Sequence, residues 1–367
     1  MGLTTPKNKK TDLRVYWSSD TIAASFPDSR GTQGCSLSRK GAKKQRNPDG
    51  QWGLTSLKMK KKLTFFLFLI FLAQNILASS VKLNLVEVAP GIFVHQGEHL
   101  DVDESYQGDI CNIGFIIGKD SVAVIDTGGS LMVGEALKKR IREKTSLPIK
   151  YVINTHVHLD HIYGNAAFNN PNTKFIGHSK LPQAMKFRKG FYETLNLRYL
   201  NTPIEKSIQI PPSILVKENE SKVFDLGERK IRVKAYETAH TDNDVTITDI
   251  KTGTLWAGDL LFIDRTPTID GDIHGFIDVL AQLISLENIN LVIPGHGTPT
   301  KNWQKAFNKV KNYFVTLRDD IRKSIDEDRG LREAIKTVAK SESKKWLLFD
   351  VQNPRNISQV YPKLEWE

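Results

Sequence analysis

Cysteine is nearly absent from this 367-residue chain, which has only Cys35 and Cys111. Beyond residue 80 only Cys111 remains, so no internal disulfide can form there and an oxidising compartment would be tolerated rather than exploited. An excess of one charge is also missing from that body. The whole chain carries +11 at pH 7, but residues 1–62 hold 14 Lys and Arg against 4 Asp and Glu. Taking these from the totals of 52 and 41 leaves 38 basic against 37 acidic residues. So neutral a body lacks the clustered basic footprint of a nucleic-acid binder, and no nucleic-acid partner is expected. The strongest apolar run, Leu63–Ala73, falls short of the roughly 20 residues of a transmembrane helix. Internal repeats, a nucleophile elbow and a phosphate-binding glycine loop are not visible either.

That short run has a different meaning. From Met59 the chain reads "MKKKLTFFLFLIFLAQNILASS". A Lys60-Lys61-Lys62 cluster, an apolar stretch, and the small residues Ala78, Ser79 and Ser80 form the pattern of a secretory signal. Residues 59–80 are therefore read as a signal peptide cleaved near Ser80/Val81, with Ala78 the alternative last residue and an uncleaved signal anchor the alternative fate. The expected product is exported to the periplasm and keeps no stable membrane span. Residues 1–58 are rich in Lys, Ser, Gly and Gln without apolar periodicity. They are read as an N-terminal extension, either a start assigned too early with Met59 the true initiator, or a disordered basic tail.

After residue 81 the pattern changes. "GIFVHQG", "NIGFIIG" and "SVAVIDTGG" are β-branched and aromatic runs closed by Gly or Asp-Thr-Gly, which predicts successive strands. A helix is expected over Val133–Lys144, where Leu137 and Ile141 return at helical spacing. "IKYVINTH" and "KFIGH" read as strands, and "KLPQAMKFRKGFYETLNLRYLN" as a helical insertion. "SKVFDLGERKIRVKAYET" predicts a hairpin turning near Leu226-Gly227-Glu228-Arg229. "VTITDIKTGTLWAGDLLF" predicts a strand pair turning around Lys251-Thr252-Gly253. A helix over Phe276–Leu286, the strand "LVIPGHG", and helices over Trp303–Arg322 and Leu331–Lys340 complete the reading. Strands followed by strand–helix alternation, twice over, predict two sheets sandwiched between helices. A catalytic domain is expected over 81–300, with a C-terminal helical extension over 301–367 packed on it.

The chemistry concentrates in "NTHVHLDH", residues 154–161. His156, His158, Asp160 and His161 lie within six residues, where a strand ends and the chain must turn. Neutral imidazole suits zinc, and carboxylate oxygen completes sites for zinc, iron or manganese. Three distant residues are expected in the same setting of strand end and turn: His240 in "YETAH", Asp259 in "TLWAGD" and His296 in "VIPGHG". Together they make seven donors, enough for two ions.

These motifs resemble the metallo-β-lactamase superfamily over about residues 85–300. The resemblance implies a mixed α/β (α+β) fold, a four-layer αββα sandwich. It also implies that His156, His158 and His240 hold a first metal, that Asp160, His161 and His296 hold a second, and that Asp259 bridges. Asp126 in "VIDTG" matches the superfamily's buried structural aspartate, which ties down the histidine loop. Flavodiiron members carry Glu where this chain has His158, which disfavours redox chemistry. The β-lactamases usually carry Cys or Ser at the bridging position, so Asp259 points toward the glyoxalase II-like binuclear hydrolases. "GIFVHQGEH", "GDICNIGFIIGKDSVAVIDTGGS", "NTHVHLDHIYGNAAF", "FIGHSKLPQAM" and "HTDNDV" are similar to a subgroup, the quinoprotein relay system zinc metallohydrolases. That implies an exported protein linked to a quinoprotein dehydrogenase and cytochrome system. Two departures stand out: Cys111 where a small residue is expected, and "HTDND" in place of "HTPG".

The implied enzyme uses two Zn²⁺, with Fe or Mn as alternatives, and a bridging hydroxide to hydrolyse an ester, thioester or related bond of a small molecule. Asp160 is the expected catalytic residue, orienting that hydroxide and accepting its proton. A β-lactamase or lactonase, and a non-catalytic metal-dependent periplasmic accessory, are the alternatives. The basic, aromatic stretch with Lys186, Arg188, Lys189, Phe191 and Tyr192 is either a cover over the site or a solvated helix with core aromatics. His274 is expected in a surface loop.

Overall fold

The computed structural model describes residues 81–367. The expected N-terminal extension and signal peptide lie outside the described residues. The first sheet runs in chain order through β1 (Leu85–Ala89), β2 (Ile92–His95), β3 (Ile113–Ile117), β4 (Val122–Ile125), β5 (Ile149–Ile153), β6 (Lys174–His178) and β7 (Ile214–Val216). Its first four strands pair antiparallel and β4 to β7 pair parallel. Parallel neighbours need long crossovers. Here α1 (Leu131–Lys144) joins β4 to β5, the one-turn α2 (Leu159–Ile162) lies between β5 and β6, and α3 (Leu181–Leu200) leads from β6 toward β7.

The second sheet has the order β12 (Leu291–His296), β11 (Thr254–Phe262), β10 (Val245–Asp249), β9 (Lys230–Ala235), β8 (Ser221–Asp225). Only β11 and β12 pair parallel, and α4 (Ile273–Ile284) connects them. The chain then closes with α5 (Trp303–Asp326), α6 (Leu331–Thr337) and α7 (Phe349–Glu365).

Period-2 alternation sorts the strand side chains into layers. Ile92, Val94, Ile116, Ala123, Ile125 and Ile153 of the first sheet meet Ile231, Val233, Ile247, Trp256 and Ile293 of the second in one buried cluster. Their chain neighbours Phe93, Phe115, Val122 and Val124 point the other way and pack with Val133, Leu137 and Ile141 of α1. Leu255 and Ala257, on the far face of the second sheet, pack with apolar side chains of α4, α5 and α7. The α5 contribution is a stripe at helical spacing, Phe307, Val310, Phe314, Leu317 and Ile321, all fully buried. Each such side chain contributes about 1.5–3 kcal/mol by leaving water. The result is the expected mixed α/β arrangement of two sheets flanked by helices.

Several boundaries differ from the sequence reading. Helix α1 starts at Leu131, because the Ser130 hydroxyl accepts from the Val133 amide and caps it. Helix α6 stops at Thr337, where Ala339 takes a left-handed conformation. Strands β1 and β7 have no counterpart in the sequence reading, and helix α7 falls within the expected C-terminal helical extension but beyond the two helices expected there. Asp259 is not followed by a turn: β11 runs on to Phe262, and its register with β12 shifts around Gly258 instead. Gly258 has φ +54°, and a Cβ there would lie 2.7 Å from the Cβ of Thr155.

Candidate metal centre

The structure brings all seven predicted donors together. His156 lies in the bend that follows β5, His158 is in extended backbone just before α2, and Asp160 and His161 lie in the single turn of α2. His240 lies between β9 and β10, Asp259 lies in β11 and His296 ends β12. All but His158 are buried. The inward nitrogens His156 Nε2 and His240 Nε2 lie 3.1 and 3.0 Å from His158 Nδ1. Asp259 sits at the centre. Its Oδ2 is 3.8 Å from His156 Nε2, 3.5 Å from His240 Nε2 and 3.2 Å from His296 Nε2, and its Oδ1 is 3.3 Å from His161 Nε2. Asp160 Oδ2 lies 3.5 Å from His161 Nε2 and 3.6 Å from His296 Nε2.

Outer contacts set which nitrogen of each ring faces in. His161 Nδ1–H donates to Asp126 Oδ2 at 2.8 Å, and His240 Nδ1–H donates to the Thr268 carbonyl at 2.8 Å. His296 Nδ1–H donates to the Ile110 carbonyl at 2.7 Å, and His156 Nδ1–H donates to Thr155 Oγ at 2.9 Å. Each leaves an unprotonated Nε2 inside. His158 is reversed: its Nε2–H donates to Asp270 Oδ2 at 3.2 Å, and Nδ1 faces the cluster. Asp126 holds the frame, because it also accepts from the Thr155 amide and hydroxyl at 2.8 Å each. That matches the tie expected of it.

Such lone pairs, facing one another at about 3 Å without protons between them, repel unless a cation lies among them. Nitrogens on a zinc ion with bonds of about 2.0–2.1 Å would stand roughly 3.3 Å apart, close to the spacings here. Electrostatics agree. Burial lowers the pKa of His156 and takes His240 to about 3, so both rings are neutral and ready to bind. Burial pushes the Asp259 carboxyl up, but His296, His161 and His156 outweigh it and hold it well below the usual range. At His161 burial disfavours charge, yet the carboxylates of Asp160, Asp259 and Asp126 outweigh it and raise the pKa of the ring above its ordinary value. Those carboxylates demand positive charge at this spot. The buried His161 Nε2 and Asp259 Oδ1 also lack hydrogen-bond partners. The donor set fits divalent metal.

Residues 106–313 match the Metallo-beta-lactamase superfamily, more than half of the chain. The chain belongs to that superfamily. Solved structures that it resembles include the stereoselective inverting sec-alkylsulfatase from Pseudomonas sp., at 15% identity and a TM-score of 0.60 over 77% of this chain. The chain spans about half, 50%, of that sulfatase's length. The DIM-1 metallo-beta-lactamase is 20% identical with a TM-score of 0.51, over 64% of this chain and 98% of its own. The metallo-beta-lactamase from Hirschia baltica is 15% identical with a TM-score of 0.50, over 64% and 97%. At these identities the likeness is one of fold. No curated protein matches the sequence significantly. Superfamily membership and the donor cluster together support a metal-dependent hydrolase.

Around this superfamily site lies a cleft lined in part by His158, Asp160, Asp259 and His296. Sequence reading missed much of its wall. Asp270 pairs with Arg188 as well as with His158, which places α3 over the first half of the cluster. Arg265, and Gln352, Arg355, Asn356 and Gln359 of α7, also line the cleft. None has a local motif, and a long helix with two prolines hid the last four. In the basic stretch Phe191 is exposed, Tyr192 is buried, and Lys189 pairs with Glu193. His274 lies in the first turn of α4, not in a loop, and pairs with Glu367 at 2.9 Å. Cys111 is buried; its thiol donates to the Asp160 carbonyl at 2.9 Å, and burial raises its pKa. Among the described residues no helix is long and apolar enough to cross a membrane.

Proposed function

We propose that the protein is a hydrolase that holds two divalent ions, zinc by preference and iron or manganese otherwise, and cleaves an ester, thioester or related bond of a small molecule. His156, His158 and His240 would hold the first ion, Asp160, His161 and His296 the second, and Asp259 would bridge them. The supporting observation is the convergence of five imidazoles and two carboxylates, each imidazole fixed so that its inward nitrogen carries a lone pair. When bound, such ions supply an activated water and charge stabilisation for a developing oxyanion.

The rest is the work of this chain. His158 is the most open of the five rings and faces the cleft, so substrate enters on its side. Asp160 also lines the cleft, and its Oδ2 is placed to take the proton that an attacking water sheds. Asp126 and Asp270 hold the rings in register while charge changes in the site. The α7 side chains Gln352, Asn356 and Gln359 wall the cleft, with their amide nitrogens held by Asp101, the Pro267 carbonyl and the Asp270 carbonyl.

We also propose export through the signal at Met59 and a link to a quinoprotein dehydrogenase. The Lys60–Lys62 cluster with its apolar run and the subgroup motifs "HTDNDV" and "FIGHSKLPQAM" support these two readings. Mass spectrometry of the mature N-terminus tests the first: a start near Val81 supports it, and recovery of Met1 overturns it.

Metal content and turnover test the main reading. Purified protein should bind two zinc ions per chain and hydrolyse members of a panel of esters, thioesters, lactones, β-lactams and alkyl sulfates. The sulfates belong in the panel because of the sulfatase fold neighbour. A chelator should abolish the activity and zinc restore it. Fully loaded protein that cleaves nothing in the panel would favour the accessory role.

A further inference from the structure

Helix α3 lies over the first half of the donor cluster, and its seat is uneven. Leu181, Ala184, Met185 and Leu195 pack with Val157 and Leu159 in one buried cluster. Between these apolar anchors the polar atoms are left uncompensated. Tyr192 is fully buried and Asn196 is 1% exposed, yet Tyr192 Oη, Asn196 Oδ1 and Asn196 Nδ2 have no hydrogen-bond partner among the described residues. Buried polar atoms without partners cost stability, so apolar packing alone holds this helix weakly. Its polar side chains add little more. Lys189 and Thr194 bond within the helix, to Glu193 and the Gly190 carbonyl, whereas Arg188 reaches out of it to Asp270.

Asp270 is tied to the donor cluster twice. Its amide and that of Gly271 donate to the His240 carbonyl at 2.9 and 2.8 Å, so its backbone moves with one donor. Its side chain serves another, because Oδ2 accepts from His158 Nε2 at 3.2 Å and from Arg188. One carboxylate oxygen thus joins a ring of the cluster to a helix over the cleft. The rotamer that meets one partner is the rotamer that meets the other. A cation among the facing lone pairs would hold the His158 ring and, by drawing density from it, strengthen its Nε2–H as a donor to Asp270. With no cation, His158 Nδ1 faces the lone pairs of His156 and His240 at 3.1 and 3.0 Å, and His158 is the least buried of the five rings.

We infer that Arg188 is a positioning residue which, through Asp270 and His158, makes the seating of α3 over the cleft and the binding of the adjacent ion depend on each other. The inference rests on the reading of the cluster as a metal centre. By linkage, whatever the tether adds to metal affinity the metal adds to the seating of the helix. Metal-free protein therefore has a looser cleft wall than loaded protein.

Hydrogen exchange on the whole protein, stripped of zinc and reloaded, reads the helix, and competition with a chromophoric chelator reads the metal. In wild type zinc should slow exchange of the α3 amides at least about fivefold. In Arg188→Met that dependence should vanish from α3, while the peptides carrying His156 and His240 still gain protection. Zinc affinity at the half formed by His156, His158 and His240 should fall at least about fivefold in Arg188→Met. Arg188→Lys should lie between, since it keeps the charge and loses the fork. In an Asp270→Asn background Arg188→Met should cause no further loss of zinc, a dependence that a packing role alone would not produce. Arg188→Met leaves Asp270 its bond from His158 and should fold; if it does not, Arg188→Lys and the wild-type comparison decide. Wild type that takes up no zinc would end the metal-centre reading and this one together. Zinc uptake that leaves α3 exchange unchanged would overturn this inference alone, and so would wild-type zinc affinity in Arg188→Met.

Discussion

Asp126 Oδ2 accepts the Nδ1 proton of His161 at 2.8 Å, and this bond links the first sheet to the second half of the donor cluster. Asp126 follows β4 with φ +52°, a left-handed conformation that Asp and Asn adopt more readily than other side chains. Its other contacts, from the Thr155 amide and hydroxyl, fix the loop that carries His156 and His158. Asp126→Asn should therefore fold, since it keeps both shape and backbone preference. It replaces one acceptor oxygen by an amide that faces a ring N–H. Zinc affinity is expected to fall by about 10–100-fold, measured by competition against a chromophoric chelator. Wild-type affinity in this variant would show that the tie is dispensable.

Asp270 plays the matching part for His158, from a position 112 residues away. Burial raises its carboxyl pKa, but the hydrogen bond from His158 and the charge of Arg188 outweigh burial and keep it ionised. Asp270→Asn removes the charge that selects the Nδ1-inward form of the ring. On the proposed two-ion assignment, the ion at His156, His158 and His240 should weaken by about 10–100-fold, and the other by less. Titration of metal-free protein with Co²⁺, followed by its absorption bands, separates the two. Equal weakening of both would sink the assignment of His158 to one ion.

The donors were legible in the sequence because each follows or interrupts an apolar strand and carries a chemically distinctive side chain. "NTHVHLDH" even packs four of them together. The supporting residues were not. Asp270, Arg188 and Arg265 are single charged residues whose roles depend on partners 31 to 112 positions away. Helix α7 was hidden for another reason. Pro354 and Pro362 lie inside it, and its buried face includes Gln352, Asn353 and Asn356, which read as loop. Tertiary contacts override that signal. Asn356 donates to the Pro267 carbonyl at 2.7 Å and to Tyr313 Oη at 2.8 Å, and Tyr313 Oη donates to Asn353 at 2.9 Å. The layering was easier, because alternation along β2, β4 and β9 needs only apolar side chains at every second position.

Helix α7 is latched to the β2–β3 connection by Arg355 and Asp101. Burial pushes the Asp101 carboxyl up, but the hydrogen bonds and charge of Arg355 prevail, so its pKa lies below the ordinary value of 3.8. A depressed folded-state pKa contributes stability that is complete above the unfolded value and is lost as pH falls through the folded one. Asp101→Asn should thus lower the stability of metal-free protein by about 1–3 kcal/mol at pH 6. The gap between variant and wild type should shrink as pH drops below about 4. Denaturant midpoints across pH 3 to 7 measure it. A gap that stays constant over that range would mean the latch is not ionic.

Gly295 gives the most local test of how the second sheet aims Asp259. The two residues lie on the parallel neighbours β12 and β11, and a Cβ at Gly295 would stand 1.9 Å from Asp259 Oδ1 and 2.8 Å from its amide nitrogen. No rotamer of another side chain can relieve contacts of which two are with backbone, since the Gly258 carbonyl carbon is also within 2.7 Å. Gly295→Ala must therefore either turn the Asp259 carboxylate away or push the strands apart. The first outcome takes Asp259 out of its proposed bridging position, and the second costs about 1–3 kcal/mol of overpacking strain. Zinc per chain should fall by half or more in either case. Gly190→Ala is the control, because nothing lies within 4 Å of its Cβ position in α3. There the substitution should raise stability by about 0.5–1 kcal/mol and leave zinc content as in wild type. If Gly295→Ala bound two zinc ions as tightly as that control, Asp259 could not be the bridge between them.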